Sequence, residues 1–327
     1  MDHETLSPVA AVSEQVSPSA RASLLPYRSF NSYLSERFGA KVYRVPIDVG
    51  FDCPNRDGTR AFGGCTFCDE RGSGAPTIDT ALDVKNQLIT GVERIRRRYG
   101  ADKFLAYFQA FSNTYAPEGI LRVLYETGLE HPDVVGLCVG TRPDCVPDTV
   151  LDLLAEFHHK SFVWLEMGLQ SAHNRTLDLI NRAHSAEEFF DAVKRAAARG
   201  IPTATHLIFG LPGETAAMML ETVRQVACSG VDGVKIHQLC VYKGTPMEVD
   251  YRLGKLPLLG EDEYVQLVVD ALELLPPQMV IMRLVAEGKR EELLAPEWSF
   301  EKSRVMEKIV AEFARRGTRQ GSRFTAV

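Results

Sequence analysis

The chain has 327 residues, with 37 lysines and arginines against 43 aspartates and glutamates, a net charge of −6. That balance excludes a basic nucleic-acid coat as the role of the chain as a whole. Its 45% hydrophobic and 24% charged residues are those of an ordinary soluble protein able to bury a large core, and no segment approaches the length of a transmembrane helix.

Residues 1–25 carry Asp2, His3 and Glu4 where a secretory leader would be basic, and they lack a continuous apolar run. They read as a mobile leader rich in Ala, Ser and Pro. Seven cysteines, an odd number that includes a tight triplet, argue against a disulfide framework and fit a reducing cytosol. The expected compartment is therefore cytoplasmic.

From about Tyr27 short apolar runs alternate with longer helical stretches. Val42–Val49 reads as a strand and Leu82–Tyr99 as a helix. Lys103–Gln109 is a strand, then Pro117–Glu130 a helix with Pro117 suited to its first turn. Val134–Val139 is a strand. Asp148–His159 is a helix whose Val150, Leu153, Leu154 and Phe157 fall at helical spacing. Phe162–Gly168 is a strand, and Ala186–Arg199 a helix closed by Gly200. Thr203–Ile208, Thr215–Ser229 and Gly233–Leu239 continue as strand, helix and strand. Six β-then-α repeats, the last incomplete, predict an α/β fold with a parallel sheet and right-handed crossovers. An open, partial (β/α)6 barrel is the preferred form. Beyond about Gly244 the alternation stops. Glu261–Leu275 and Phe300–Arg316 read as helices, with Gln278–Leu284 a candidate strand. The expected division is a leader at 1–25, a core at 26–245 and an extension at 246–327 packed on it.

In such a barrel chemistry gathers at the C-terminal ends of the strands. Polar residues stand there: Gln109, Ser112 and Asn113 after the second strand, Thr141, Arg142 and Asp144 after the third. Glu166 and Gln170 end the fourth, Gly210, Pro212, Gly213 and Glu214 follow the fifth, and His237 and Gln238 end the sixth. After the first strand comes CPNRDGTRAFGGCTFCDERGSG, which holds Cys53, Cys65 and Cys68 as C-x11-C-x2-C. Thiolates suit iron–sulfur clusters and zinc. A fully protein-ligated centre normally takes four ligands, so three leave one position open, or a distant His or Cys completes a zinc knuckle. Gly58, Gly63, Gly64, Gly72, Ser73 and Gly74 let the loop wrap tightly and turn N–H groups inward.

Six blocks carry a family resemblance: CPNRDGTRAFGGCTFC, AYFQAFSNTYAP, VGTRPDCVPD, WLEMGLQSAHNRTLDLINRAHS, HLIFGLPGET and HQLCVYKGTPM. In them the chain resembles radical S-adenosylmethionine (radical SAM) enzymes, and within these the Elp3-like subgroup of bacterial YhcC/YtqA-type proteins. The wide C-x11-C spacing belongs to this subgroup. The resemblance implies a 4Fe–4S cluster on Cys53, Cys65 and Cys68, with S-adenosylmethionine on the fourth iron. It implies reductive cleavage of S-adenosylmethionine and hydrogen-atom abstraction from a substrate. Gln109 and Ser112 stand where many relatives hold the methionine amino group with a Gly- and Glu-containing segment.

Alternation puts Trp164, Glu166, Gly168 and Gln170 on one face of a strand. Glu166 there either binds the amino group or ribose or is buried against Arg142 or Arg182. Gln170 is similarly placed. Arg182 and His184 face the substrate or the carboxylate, and the Gly210 turn lets backbone approach the adenine or ribose. His206 and His237 are candidates for substrate contact or for a structural role.

Relatives in the Elp3-like group act on wobble uridine of tRNA, so remodelling of a 5-substituent on that base is the expected task. Basic residues cluster at Arg94, Arg96, Arg97, Arg98 and Lys103, and again at Arg315, Arg316, Arg319 and Arg323. They form either solvated helix faces or a patch for a phosphate-bearing partner. A flavodoxin or ferredoxin is the expected electron donor. The competing readings are radical modification of a small metabolite or peptide, and a non-catalytic module that senses iron or binds zinc.

Overall fold

The computed structural model describes residues 25–72 and 78–325. All of the predicted leader except Leu25 lies outside the described residues, as do Ser73 and Gly74 of the glycine-rich loop.

In chain order the elements are α1 (Phe30–Phe38), β1 (Val42–Ile47), α2 (Val84–Tyr99), β2 (Lys103–Phe108), α3 (Glu118–Leu129) and β3 (Val134–Thr141). A short turn at Pro143–Cys145 leads to α4 (Asp148–Lys160), β4 (Phe162–Gln170), α5 (Asn174–Leu179), α6 (Ala186–Ala197) and β5 (Thr203–Phe209). Then come α7 (Ala216–Ala227), β6 (Gly233–Gln238), β7 (Val241–Tyr242), α8 (Pro246–Arg252), α9 (Glu261–Leu274), β8 (Val280–Arg283), β9 (Leu293–Ala295) and α10 (Lys302–Arg316).

Seven strands form one sheet in the order β1-β2-β3-β4-β5-β6-β8, every neighbouring pair parallel. Sequential order with a helix between strands is what right-handed crossovers produce, and the sheet curls into a partial barrel. Six strands were expected in the barrel; β8, from the stretch beyond Gly244, adds a seventh. It falls within the candidate strand Gln278–Leu284, but at four residues, after Pro276 and Pro277, nothing in its pattern marks it as part of the barrel sheet. The short pair β7–β9 is antiparallel and separate.

All nine residues of β4 are buried, as expected of a central parallel strand covered on both faces. Gly136 in β3 shows how tightly the strands approach: a Cβ there would lie 2.1 Å from the Phe162 carbonyl oxygen. On the outer face the helices pack Leu121, Leu151, Phe189 and Val223 against the sheet. On the inner face Phe30, Leu105, Phe162, Trp164, Ala204, Val280 and Met282 form a second apolar cluster. Phe30 lies 5.4 Å and Tyr33 5.5 Å from the Trp164 ring, so α1 plugs the barrel below the level of Glu166. Above that plug the lumen turns polar.

Candidate active site

The C-terminal strand ends converge on a cavity of about 480 Å³. The loop after β1 brings Cys53, Cys65 and Cys68 to its wall, and the segment after β2 brings Gln109 and Ser112. Arg142, Gln170 and Arg182 continue it, and His206, Lys235, His237 and Arg283 complete it from β5, β6 and β8.

The cysteine loop is held by its own backbone and by the segment after α5. Cys68 N–H donates to Cys65 O at 3.0 Å and Gly64 N–H to Asn55 O at 2.8 Å. The Asn181 amide donates to Phe62 O at 2.9 Å and Gly64 O at 2.8 Å, and Thr66 N–H donates to Ile180 O at 3.0 Å. Donors point at the buried Cys65 sulfur: the Asn55 amide at 3.4 Å and Arg182 Nη1 at 3.5 Å. Arg142 is the second cation facing Cys53 and Cys65. It is fixed by a two-point ion pair to Asp144, both bonds 2.8 Å, and by a bond to Arg182 O. Two guanidiniums beside the Cys53 and Cys65 thiols suit a negatively charged centre. Among the described residues no three His, Cys, Asp or Glu side chains gather into a group that would hold a single metal ion. The case for the cysteines therefore rests on their common wall, on these donors and on the family.

Polar groups on the wall await partners. Gln170 Oε1 and Ser112 Oγ are buried without a hydrogen bond. The Arg182 guanidinium bonds Gly168 O through Nη2 at 2.7 Å, and its Nε stays unpaired. Gly168 has no side chain because Gln170 and Arg182 cross there: a Cβ would lie 2.5 Å from Gln170 Nε2 and 2.7 Å from Arg182 Nη2. Backbone strain is concentrated in the same place. Ala110, Phe111 and Gln170 adopt positive φ on the cavity wall, and Asn181 and Ala183 do so on either side of Arg182. These five are all the non-glycine positive-φ residues among the described ones. Such conformations cost of order 1–3 kcal/mol each and persist where surrounding structure holds them for function.

Two expected ligand contacts are corrected. Glu166 is fully buried beneath the cavity and saturated. Arg44 Nη1 reaches Oε1 at 3.0 Å, while Tyr107 OH and His206 Nε2 each donate to Oε2 at 2.9 Å, and Lys235 Nζ is its closest partner. Neither Arg142 nor Arg182 pairs with it, and no acceptor is left for a ligand. Gly210 lies in a left-handed turn after β5, φ 88°, outside the cavity lining, facing Leu259 and Leu239. Gln109, Ser112, Gln170 and Arg182 do line the cavity, as do His206 and His237. His184 is buried, sharing Gly168 O at 3.1 Å.

The Glu166 group is strongly polarised. Burial alone would raise its carboxyl, but Lys235, the His206 bond and Arg44 outweigh it and hold it well below the usual carboxylate range. Burial pushes Lys235 down to about 7, opposed by Glu166. Burial, then the Lys235 charge, lowers His206 to about 4, so its imidazole is neutral and donates to Glu166. Arg44, Tyr107, Lys235 and Arg283 escaped the sequence reading. The available signal was Lys235 and His237 alternating on one face of an otherwise apolar strand.

A parallel partial barrel carrying three cysteines in its first strand-end loop defines a class of radical enzymes. A model described as the radical SAM superfamily matches residues 53–226, and a radical SAM C-terminal domain model matches 231–315. The chain is similar to the YtqA protein of Bacillus subtilis, 46% identical over 298 residues that cover 91% of this chain and 92% of that one. It is 26% identical over 145 residues to the tRNA uridine(34) acetyltransferase of Methanocaldococcus infernus, covering 43% of this chain and 27% of that protein. Its fold resembles the archaeal Methanocaldococcus infernus Elp3 structure, with a TM-score of 0.63, 18% identity, and coverage of 85% of this chain and 64% of that one. The chain belongs to the radical SAM superfamily and is a radical SAM enzyme, with a 4Fe–4S cluster and S-adenosylmethionine as its cofactors. No helix among the described residues is long and apolar enough to cross a membrane.

Proposed function

We propose that the enzyme remodels the 5-substituent of wobble uridine in tRNA, by removing a carboxymethyl group from a carboxymethylaminomethyl side chain. Similarity to a tRNA uridine(34) acetyltransferase over 145 residues carries this reading. A cavity of about 480 Å³ is within the range of small-ligand sites and admits a flipped-out base. When bound, the cluster would supply the electron that splits S-adenosylmethionine into methionine and a 5′-deoxyadenosyl radical, which would take a hydrogen atom from the carboxymethyl CH2; with the second electron returned and water added, the C–N bond would break, leaving the amine on the base and releasing the two carbons as glyoxylate.

Cys53, Cys65 and Cys68 hold the three irons in this reading. The unpaired Gln170 Oε1 and Ser112 Oγ accept from the ammonium of S-adenosylmethionine, with the Gln109 side chain beside them. Arg182 turns its unpaired Nε toward the carboxylate. Tyr107, fixed by Glu166 and Lys235, closes the floor and excludes water. A flavodoxin or ferredoxin supplies the electron from the cytoplasm. The C-terminal basic cluster contributes little to RNA attraction. Arg315 and Arg316 pair with Glu312, and Arg316 and Arg323 pair with Asp270.

The test is a nucleoside profile of tRNA by mass spectrometry from a strain lacking the gene. Carboxymethylaminomethyluridine species are expected to accumulate, and an unchanged profile contradicts the reading.

A further inference from the structure

β6 and β8 pair at Gly233↔Val280 and Val234↔Ile281, and then the register slips so that Lys235 sits beside Arg283. Met282 is the residue passed over. It stays in the lower core, where its Sδ accepts the Trp164 indole N–H at 3.0 Å. A bulge of this kind re-aims a side chain. Here it turns Arg283 into the cavity beside Lys235.

The Arg283 side chain makes no hydrogen bond or ion pair among the described residues. The carboxylates of the cavity wall are occupied elsewhere. Arg71 pairs with Glu292 and with Asp69, and Lys302 reaches Glu287 at 2.9 Å. Below, Glu166 is saturated by four donors. Arg283 is near enough to Tyr107, His206, Lys235 and His237 for its charge to act on all four. A guanidinium at the open side of a cavity, exposed to solvent, unpaired and close to further N–H donors, is an arrangement for an incoming anion. Its planar fork matches a carboxylate with two parallel bonds. It lies at the β8 edge of the sheet, whereas Arg142 and Arg182 stand by the cysteines.

We propose that Arg283 is a specificity-determining residue that receives a carboxylate of the substrate, aimed by the bulge in β8. The proposal rests on the wobble-uridine reading, in which the group to be removed ends in a carboxylate.

The test uses protein reconstituted anaerobically with iron and sulfide, with S-adenosylmethionine present. Binding of 5-carboxymethylaminomethyluridine and of its methyl ester is measured by equilibrium dialysis for the wild type, R283Q and R283K. The wild type is expected to bind the acid roughly tenfold or more tighter than the ester, the worth of one charge-assisted pair. R283Q loses that preference and R283K keeps part of it. Melting temperatures of the three, read alongside, exclude misfolding. A wild type without preference, or R283Q that retains it, overturns the proposal. So does R283Q that weakens S-adenosylmethionine binding while keeping the preference, which would give Arg283 to the cofactor. Turnover separates this inference from the functional reading. A wild type that fails to convert carboxymethylaminomethyl-bearing tRNA sinks the function; conversion with an unaltered R283Q rate sinks the inference alone.

Discussion

Glu166 shows how a single side chain organises the lumen. A carboxylate inside a strand is costly unless compensated, which makes it noticeable in the sequence. Its compensation is not noticeable there, because Arg44, Tyr107, His206 and Lys235 come from four other strands. Removing one partner leaves a buried charge under-compensated. Lys235→Met is therefore expected to destabilise the protein by about 3 kcal/mol, with Glu166→Gln in the same chain restoring part of the loss. Urea denaturation of the single and double variants reads this; a K235M midpoint equal to the wild type contradicts it. Gly168 predicts an effect on ligand rather than on fold. Its added Cβ meets only the far ends of Gln170 and Arg182, which can swing aside. Gly168→Ala is expected to weaken S-adenosylmethionine binding about tenfold, about 1.4 kcal/mol, with little change in melting temperature. Equilibrium dialysis with the reconstituted variant checks it, and unchanged affinity would remove Gln170 and Arg182 from the binding wall.

The elements that position the site were legible where period and caps agreed. β1 to β6 and the five long helices between Val84 and Ala227 fall within a few residues of their predicted bounds. The shorter α1, α5, α8, β7 and β9 were not seen, since none is long enough to show a period above noise. The β8 bulge is invisible for another reason. It is defined by pairing with β6, so Arg283 reads as an ordinary polar strand end. α6 shows a local signal that the structure uses fully. Ser185 Oγ accepts from Glu188 N–H at 3.2 Å, and the Glu188 carboxylate accepts from Ser185 N–H at 2.7 Å. Ser185→Ala is expected to cost about 1 kcal/mol by opening this capping box. Thermal melting of S185A checks it, and a melting temperature equal to the wild type would show the cap to be idle.

At the scale of the molecule, one mouth collects chemistry from residues scattered between Cys53 and Arg283. The strand–helix alternation pointed to the C-terminal strand ends as that mouth, whereas the depth at which each side chain sits was a matter of packing. Glu166 and Gly210 were misjudged on depth, one lying below the cavity and the other beside it. Burial also gives the whole protein a pH signature. His184 and His237 are lowered from 6.5 to about 3 and His206 to about 4, first by desolvation. Between those values and 6.5 the unfolded chain binds protons that the folded chain refuses, so stability falls as pH falls through that window. Glu166, held low by its cations, acts in the same direction. The urea midpoint is expected to be lower at pH 5 than at pH 7.5, and a flat profile contradicts the buried neutral imidazoles.

The central claim is that Cys53, Cys65 and Cys68 hold the centre at which S-adenosylmethionine is cleaved. Its most direct test is 5′-deoxyadenosine formation by the anaerobically reconstituted protein under dithionite, measured by mass spectrometry beside the C53S/C65S/C68S variant. The wild type should yield 5′-deoxyadenosine and methionine while the variant yields neither. A wild-type protein that fills with zinc and cleaves nothing, or a variant that cleaves as well as the wild type, would contradict the account.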